Sequence, residues 1–186
     1  MNWLFRFPNP VNELAARTVA AGVLTLTVLT LLLSAAFGFG WLWLTVPLAY
    51  GFLARVLTGP TLSPLGQLAT RVVAPRLGPP RPVPGPPKRF AQGMGATMSL
   101  AAVIAHFGFG ADWVAVALLG LIVVAATLES VFAFCIGCTV FAGLMRVGLI
   151  PASVCLECAD ISYPPDSDPV SPHSLTLGGN PGPERA

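Results

Sequence analysis

Four long apolar stretches leave this chain few ways to fold. Val19 to Phe37 runs for 19 residues without a charge. Gly38 to Leu57 carries only Arg55, and Phe90 to Phe109 holds only Gln92 and His106 as strongly polar residues. A fourth run starts at Trp113, meets Glu129, and resumes from Ser130 to Met145. A bilayer core about 30 Å thick needs about 20 helical residues, so the first three stretches fit one crossing each. The residues outside them do not argue otherwise. The chain is 54% hydrophobic and 10% charged, where soluble domains carry about 25% charged residues. With a mean hydropathy of +0.75, it reads as a chain solvated mainly by lipid. Its 186 residues suffice for one small membrane bundle. A net charge of +2, with no dense basic run, gives no footing for nucleic-acid binding.

The fourth stretch needs more care. As one helix, Trp113 to Met145 would measure about 50 Å, too long for one crossing and tight for two. One crossing from about 113 to 132 is expected, then an interfacial extension to Ile150, stopped by Pro151. A fifth crossing would need a turn around Glu129 and would carry Arg146 to the outer side, which disfavours it. The expected fold is therefore an all-α integral membrane bundle of about four transmembrane helices. Its domain spans 1–160, with crossings near 19–37, 38–57, 90–109 and 113–132. The loop 58–89 is expected to be cytoplasmic, 133–160 bears the cysteines, and 161–186 is a disordered tail rich in Pro, Ser, Asp and Gly.

Orientation follows from the basic residues. Arg6 and Arg17 precede the first crossing. Arg55, Arg71, Arg76, Arg81, Lys88 and Arg89 lie at or between the second and third, and Arg146 and Arg185 follow the fourth. The opposite loops, at 37–40 and 107–112, contain no Lys or Arg. With four crossings every basic residue falls on one side, so both termini are expected in the cytoplasm. The first apolar run exceeds the usual h-region of a signal peptide and is followed at once by another crossing. A retained first helix is expected.

Within the loop, Ser63-Pro64 starts and Pro75 ends a short amphipathic helix, with Leu65, Leu68, Ala69 and Val72 at helical spacing. Beyond it, Pro79, Pro80, Pro82, Pro84, Pro86 and Pro87 read as an extended spacer. Ala91, Gly95 and Ser99 recur every four residues and suit close helix packing in lipid. Pro47 is expected to kink the second crossing. Trp41, Trp43 and Trp113 suit an outer aromatic belt. Glu129 near the inner end of its crossing is costly unless paired. Arg55, at similar depth, is its expected partner in a structural ion pair. His106 has an acid nearby in Asp112 and reads as a packing residue.

All four cysteines fall within 24 residues, as Cys135-Ile-Gly-Cys138 and Cys155-Leu-Glu-Cys158. The first pair sits just past the fourth crossing, and the second follows Pro151 into cytoplasmic water. The cytosol is reducing, so static disulfides are not the default. Redox or sulfur exchange, metal binding and simple packing remain. Two thiols three apart on a helix share a face and can close into a disulfide. Ser153 could cap a short helix and place Cys155 in its first turn, favouring its thiolate, while Glu157 and Asp160 push the other way. The apolar neighbours Phe132, Phe134 and Ile136 argue against a low pKa at Cys135. The spacing also lies in the zinc-ribbon-like range, and four thiolates could hold a tetrahedral zinc. Against that, the first pair is embedded in an apolar, helical segment.

The run Glu129-Ser130-Val131-Phe132-Ala133-Phe134-Cys135-Ile136-Gly137-Cys138, followed by Cys155-Leu156-Glu157-Cys158, resembles the domain of unknown function 4395 family of bacterial integral membrane proteins. Ser63-Pro64-Leu65 and Pro87-Lys88-Arg89-Phe90-Ala91-Gln92 add to the match, which covers roughly Asn9 to Asp160. The resemblance implies a small multi-helix protein of the bacterial cytoplasmic membrane, from a family often encoded beside thioredoxin-like or sulfurtransferase proteins. It implies no reaction and leaves open whether the chain is an enzyme. The leading expectation is a membrane-anchored dithiol protein that exchanges electrons or sulfur with such a cytoplasmic partner through Cys135, Cys138, Cys155 and Cys158. The alternatives are a non-enzymatic scaffold whose four cysteines hold zinc, or a small transporter with Glu129, Arg55 and His106 along its path.

Overall fold

The computed structural model describes residues 7–155 together with Cys158. The tail expected to be disordered at 161–186 lies outside the described residues, as do Arg6, Glu157, Asp160 and Arg185. Lipid cannot satisfy backbone N–H and C=O groups, so an apolar chain must pair them within its own helices. Among the described residues, four helical segments are long and apolar enough to cross a membrane. They are α1 (Glu13–Phe37), a 3₁₀ segment Phe39–Leu44 leading into α2 (Thr45–Thr58), α5 (Gly85–Phe109) and α6 (Asp112–Phe132). Between α2 and α5 lie α3 (Pro64–Leu68), a π-turn (Ala69–Val73) and α4 (Ala74–Leu77). A further helix, α7 (Ile136–Arg146), follows α6.

Gly38 makes the turn between the first two apolar helices, with φ +97°, a conformation that suits glycine. Pro47, expected to kink the second crossing, stands near its one change of winding. It sits in the first turn of α2, directly after the 3₁₀ segment Phe39–Leu44, so the change from 3₁₀ to α winding lies just ahead of it. The surface helix departs from its expected end. Pro75 does not stop it, because the preceding π-turn absorbs the irregularity and the chain stays helical to Leu77. The proline spacer is shorter than expected. Pro82–Val83 pairs antiparallel with Val11–Asn12, while Pro86 and Pro87 open α5. Asn9 Oδ1 accepts from the Gly85 N–H at 2.8 Å, and Glu13 N–H donates to Arg81 O at 2.8 Å. These bonds tie the start of α1 to the start of α5.

The bundle core runs through Val19, Val23, Leu48, Phe52, Ala102, Leu119 and Ile122. Thr27 and Thr30 are fully buried on α1, yet each hydroxyl donates to a carbonyl of its own helix, Val23 O at 2.7 Å and Leu26 O at 2.8 Å. That local bond is how a hydroxyl avoids the cost of standing unpaired in an apolar interior. The small stripe on α5 serves packing. Gly95 accommodates the Phe52 ring, and Ser99 is fully buried with its hydroxyl bonded to Gly95 O at 2.7 Å. Leu29, Leu32, Leu100, Ile104, Leu121 and Val124 point outward, as expected of side chains facing lipid.

The two ends of the bundle differ. One gathers Phe37, Trp41, Trp43, Phe107, Phe109 and Trp113, all exposed. There His106 Nδ1 lies 2.6 Å from Asp112 Oδ1. The other end gathers every described Lys and Arg, the surface helices and α7. Two arginines there cap helix ends. Arg17 donates to Ser130 O and Val131 O of α6, and Arg89 to Val56 O of α2. A cation suits these terminal carbonyls, which have no partner within the helix.

Candidate functional site

The chain breaks helix abruptly after α6. Ala133 takes a left-handed conformation at φ +56°, and Phe134 N–H folds back to Leu128 O at 3.0 Å. The chain then restarts as α7 with Cys135 as its N-cap. Eleven residues at about 1.5 Å each make α7 far too short to cross a bilayer. It packs chiefly on α5. Gly137 permits this contact, because a Cβ there would stand 2.5 Å from both Ala91 Cα and Ala91 Cβ. Phe141 is buried one turn further on, its ring 5.7 Å from that of Phe90. The first C-x-x-C pair is thus clamped to the bundle at the basic end.

Its two thiols are unequal. Cys135 is buried and Cys138 partly exposed, and both are free. As the N-cap, Cys135 Sγ accepts the Cys138 backbone N–H at 3.3 Å. A hydrogen bond from the Cys138 thiol is the largest influence on Cys135 and lowers its pKa. Lys88 and the Cys138 backbone N–H act in the same direction, while burial and the Glu129 carboxylate oppose them. The same bond holds the proton on Cys138, and with burial it pushes that thiol well above the ordinary range. This reverses the expectation from sequence, in which apolar neighbours keep Cys135 protonated. Hydrogen-bond donors to the sulfur outweigh the apolar surroundings.

The second pair differs in state. Cys155 and Cys158 are joined by a disulfide, with their Cα atoms 5.2 Å apart, and Cys155 is buried. A helix capped by Ser153 would take in 156 and 157, which lie outside the described residues. Ser153 itself lies inside a short 3₁₀ turn, Ala152–Val154, which Cys155 follows. Among the described residues no group of three or more His, Cys, Asp or Glu is placed to hold one metal ion.

The expected ion pair between Arg55 and Glu129 does not form. Glu129 Oε1 instead meets Lys88 Nζ at 2.8 Å, since the start of α5 faces the end of α6 at that depth. Lys88 also borders the thiols, so sequence reasoning missed a residue of the site. Its position one turn into α5 was the available signal. Arg55 is turned elsewhere. Its Nε donates to Gln92 Oε1 at 2.8 Å and its Nη1 to Ser63 Oγ at 3.2 Å, with the guanidinium 4.7 Å above the Phe52 ring. Ser63 is in turn the N-cap of α3, accepting the Gly66 N–H at 3.2 Å. Arg55 therefore fastens the surface helix to α2 and α5. His106 lies at the far end of α5, so the structure does not gather Glu129, Arg55 and His106 into one path.

Cys135 borders two openings. On the surface, a groove shared with Cys138, Lys88, Phe134 and Arg146 leaves the pair reachable from water. On the inner side, a cavity of about 270 Å³ extends from Cys135 and Glu129 into the bundle. In chemical terms the site is a free dithiol with one activated sulfur, held between a carboxylate–ammonium pair and two openings of different polarity.

The family described as a domain of unknown function (DUF4395) matches residues 11–146, which takes in Cys135 and Cys138 but stops short of Cys155 and Cys158. No curated protein and no solved structure matches the chain.

Proposed function

The chain belongs to the DUF4395 family, and because that membership assigns no reaction, we propose from the site itself that the protein is a membrane-anchored dithiol protein exchanging electrons or sulfur with a cytoplasmic thioredoxin-like or sulfurtransferase partner. The observation that carries this reading is Cys135 at the N-cap of α7, its sulfur accepting the Cys138 N–H. A thiolate is the species that attacks a disulfide or a sulfane sulfur, and a helix N-terminus with a nearby donor favours it. Cys138, holding its proton three residues on, is suited to resolve the mixed disulfide by closing on Cys135. Cys155 and Cys158, whose spacing allows a disulfide with Cα atoms 5.2 Å apart, would be the second exchanging pair.

The proposed setting is the bacterial cytoplasmic membrane with both termini and the cysteines in the cytoplasm. The gathering of Lys and Arg at the cysteine end supports that orientation. The test is trapping in cells. A Cys138→Ser variant leaves Cys135 without its resolving thiol and should accumulate a mixed disulfide or persulfide with a thioredoxin-like or sulfurtransferase protein. Cys135→Ser should accumulate none. If neither variant captures any partner or carries any persulfide, the exchange reading fails.

A further inference from the structure

The cavity behind Cys135 is walled by membrane-spanning segments. Val23 of α1, Phe52 of α2, Met98 of α5 and Ile122 of α6 form its sides. It also reaches the outer surface of α6, because Leu121 and Val124 line it and are each 54% exposed. A molecule dissolved in lipid can therefore enter it sideways. Polar groups are confined to the cysteine end, where Gln92 and Glu129 stand beside Cys135. The Gln92 Oε1 is already taken by Arg55, which leaves its Nε2 as a donor toward a ligand. A fitting occupant is apolar along most of its length, carries a hydrogen-bond acceptor at one end, and presents that end to a thiol.

We propose that this cavity admits a lipid-soluble quinone, which takes electrons from the Cys135–Cys138 dithiol. The proposal rests on the dithiol reading and adds its membrane-side oxidant. Sulfur atoms of Cys135 and Cys138 join in one S–S bond and give up two electrons to the quinone ring. The two thiol protons end on the two quinone oxygens, so dithiol and quinone become disulfide and quinol. Cys135 is the residue able to serve both sides, because it borders the cavity and also the aqueous groove where a protein partner would meet the pair. Electrons would enter from water through the groove and leave into lipid through the cavity.

The experiment uses the full chain with Cys155→Ser and Cys158→Ser, reduced, desalted anaerobically in detergent, and mixed with decylubiquinone. Quinol formation is followed by the quinone's ultraviolet band, and disulfide formation by loss of alkylatable Cys135 and Cys138. The expected result is one quinol for each disulfide formed, and none from Cys135→Ser. Ala125→Phe narrows the cavity from the α6 wall and should slow the quinone reaction at least about tenfold, a change of about 1.4 kcal/mol in barrier. It should leave the rate with oxidised glutathione unchanged. Met98→Trp, acting from the α5 wall, repeats the test should Ala125→Phe lower the thermal midpoint. If glutathione closes the disulfide but the parent protein makes no quinol, the quinone proposal falls and the dithiol reading stands. If neither oxidant closes it, both fall. Equal quinone rates in the folded cavity variants would also overturn the proposal.

Discussion

Gly137 lies flat against Ala91, so close that a Cβ on the glycine would come within 2.5 Å of Ala91 Cα. The contact presses the first turn of α7 onto α5 and so fixes where Cys135 and Cys138 stand relative to Lys88. A Gly137→Ala change must therefore push the two helices apart. Overpacking of this kind costs about 1–3 kcal/mol. The expected outcome is a lower thermal midpoint in detergent together with loss of the reactivity difference between Cys135 and Cys138. Alkylation followed by peptide mass analysis reads the second effect directly.

Thiol reactivity should follow the charges beside the pair. Cys135 is lowered and Cys138 raised, so limited alkylation should label Cys135 first, at pH values below the ordinary thiol range. The Lys88 ammonium favours the Cys135 thiolate and the Glu129 carboxylate disfavours it. Lys88→Met removes the favourable charge and should move the alkylation profile of Cys135 to higher pH. Glu129→Gln removes the unfavourable one and should move it to lower pH. Opposite shifts of the same cysteine would be hard to obtain from a general loosening of the fold. Shifts of the same sign in both variants would contradict the assignment.

Arg55 offers a test of burial energetics. The residue is 5% exposed, and its guanidinium has neutral acceptors in Gln92 and Ser63 and leaves Nη2 without a partner among the described residues. Arg55→Lys keeps the buried charge but loses the planar fork that reaches both acceptors. Arg55→Met loses the bonds and also removes the desolvation cost of the charge. Each hydrogen bond to a charged group contributes about 1.5–3 kcal/mol. We expect Arg55→Lys to lower the thermal midpoint more than Arg55→Met does. The reverse order would mean that the cation itself, and not its geometry, holds the surface helix in place.

Much of this architecture was legible in the sequence, because lipid imposes a strict rule on length and polarity. The number and order of the apolar helices follow from where charges interrupt the chain. Their starts do not, because α1 and α5 begin at Glu13 and Gly85, ahead of the expected 19 and 90, and take in Arg17, Lys88 and Arg89. What sequence could not supply was lateral detail. Arg55 and Lys88 stand at similar depth, and only packing decides that Lys88 meets Glu129 while Arg55 turns to Gln92 and Ser63. The same limit applies to the cysteines. The helix break at Ala133, a residue with no special preference for φ +56°, is what makes Cys135 an N-cap. Without that break the apolar run from Phe132 to Ile136 reads as continuous helix. The thiol then looks inert.

Orientation in the membrane can be checked with the same chemistry. Asymmetry of Lys and Arg sets which end of a bundle stays in the cytoplasm, and here the described basic residues share the end that holds the cysteines. Phe109, 80% exposed, stands at the opposite end, and Leu77, 59% exposed, stands at the basic one. In a background with all four native cysteines changed to Ser, Phe109→Cys should react with a membrane-impermeant maleimide on intact bacterial spheroplasts. Leu77→Cys should react only after the membrane is opened. The two positions belong to elements joined through α5, so one orientation fixes both answers. Labelling of Leu77→Cys from outside would place the dithiol on the outer face, and a cytoplasmic thioredoxin-like partner would then have to be abandoned in favour of one beyond the membrane.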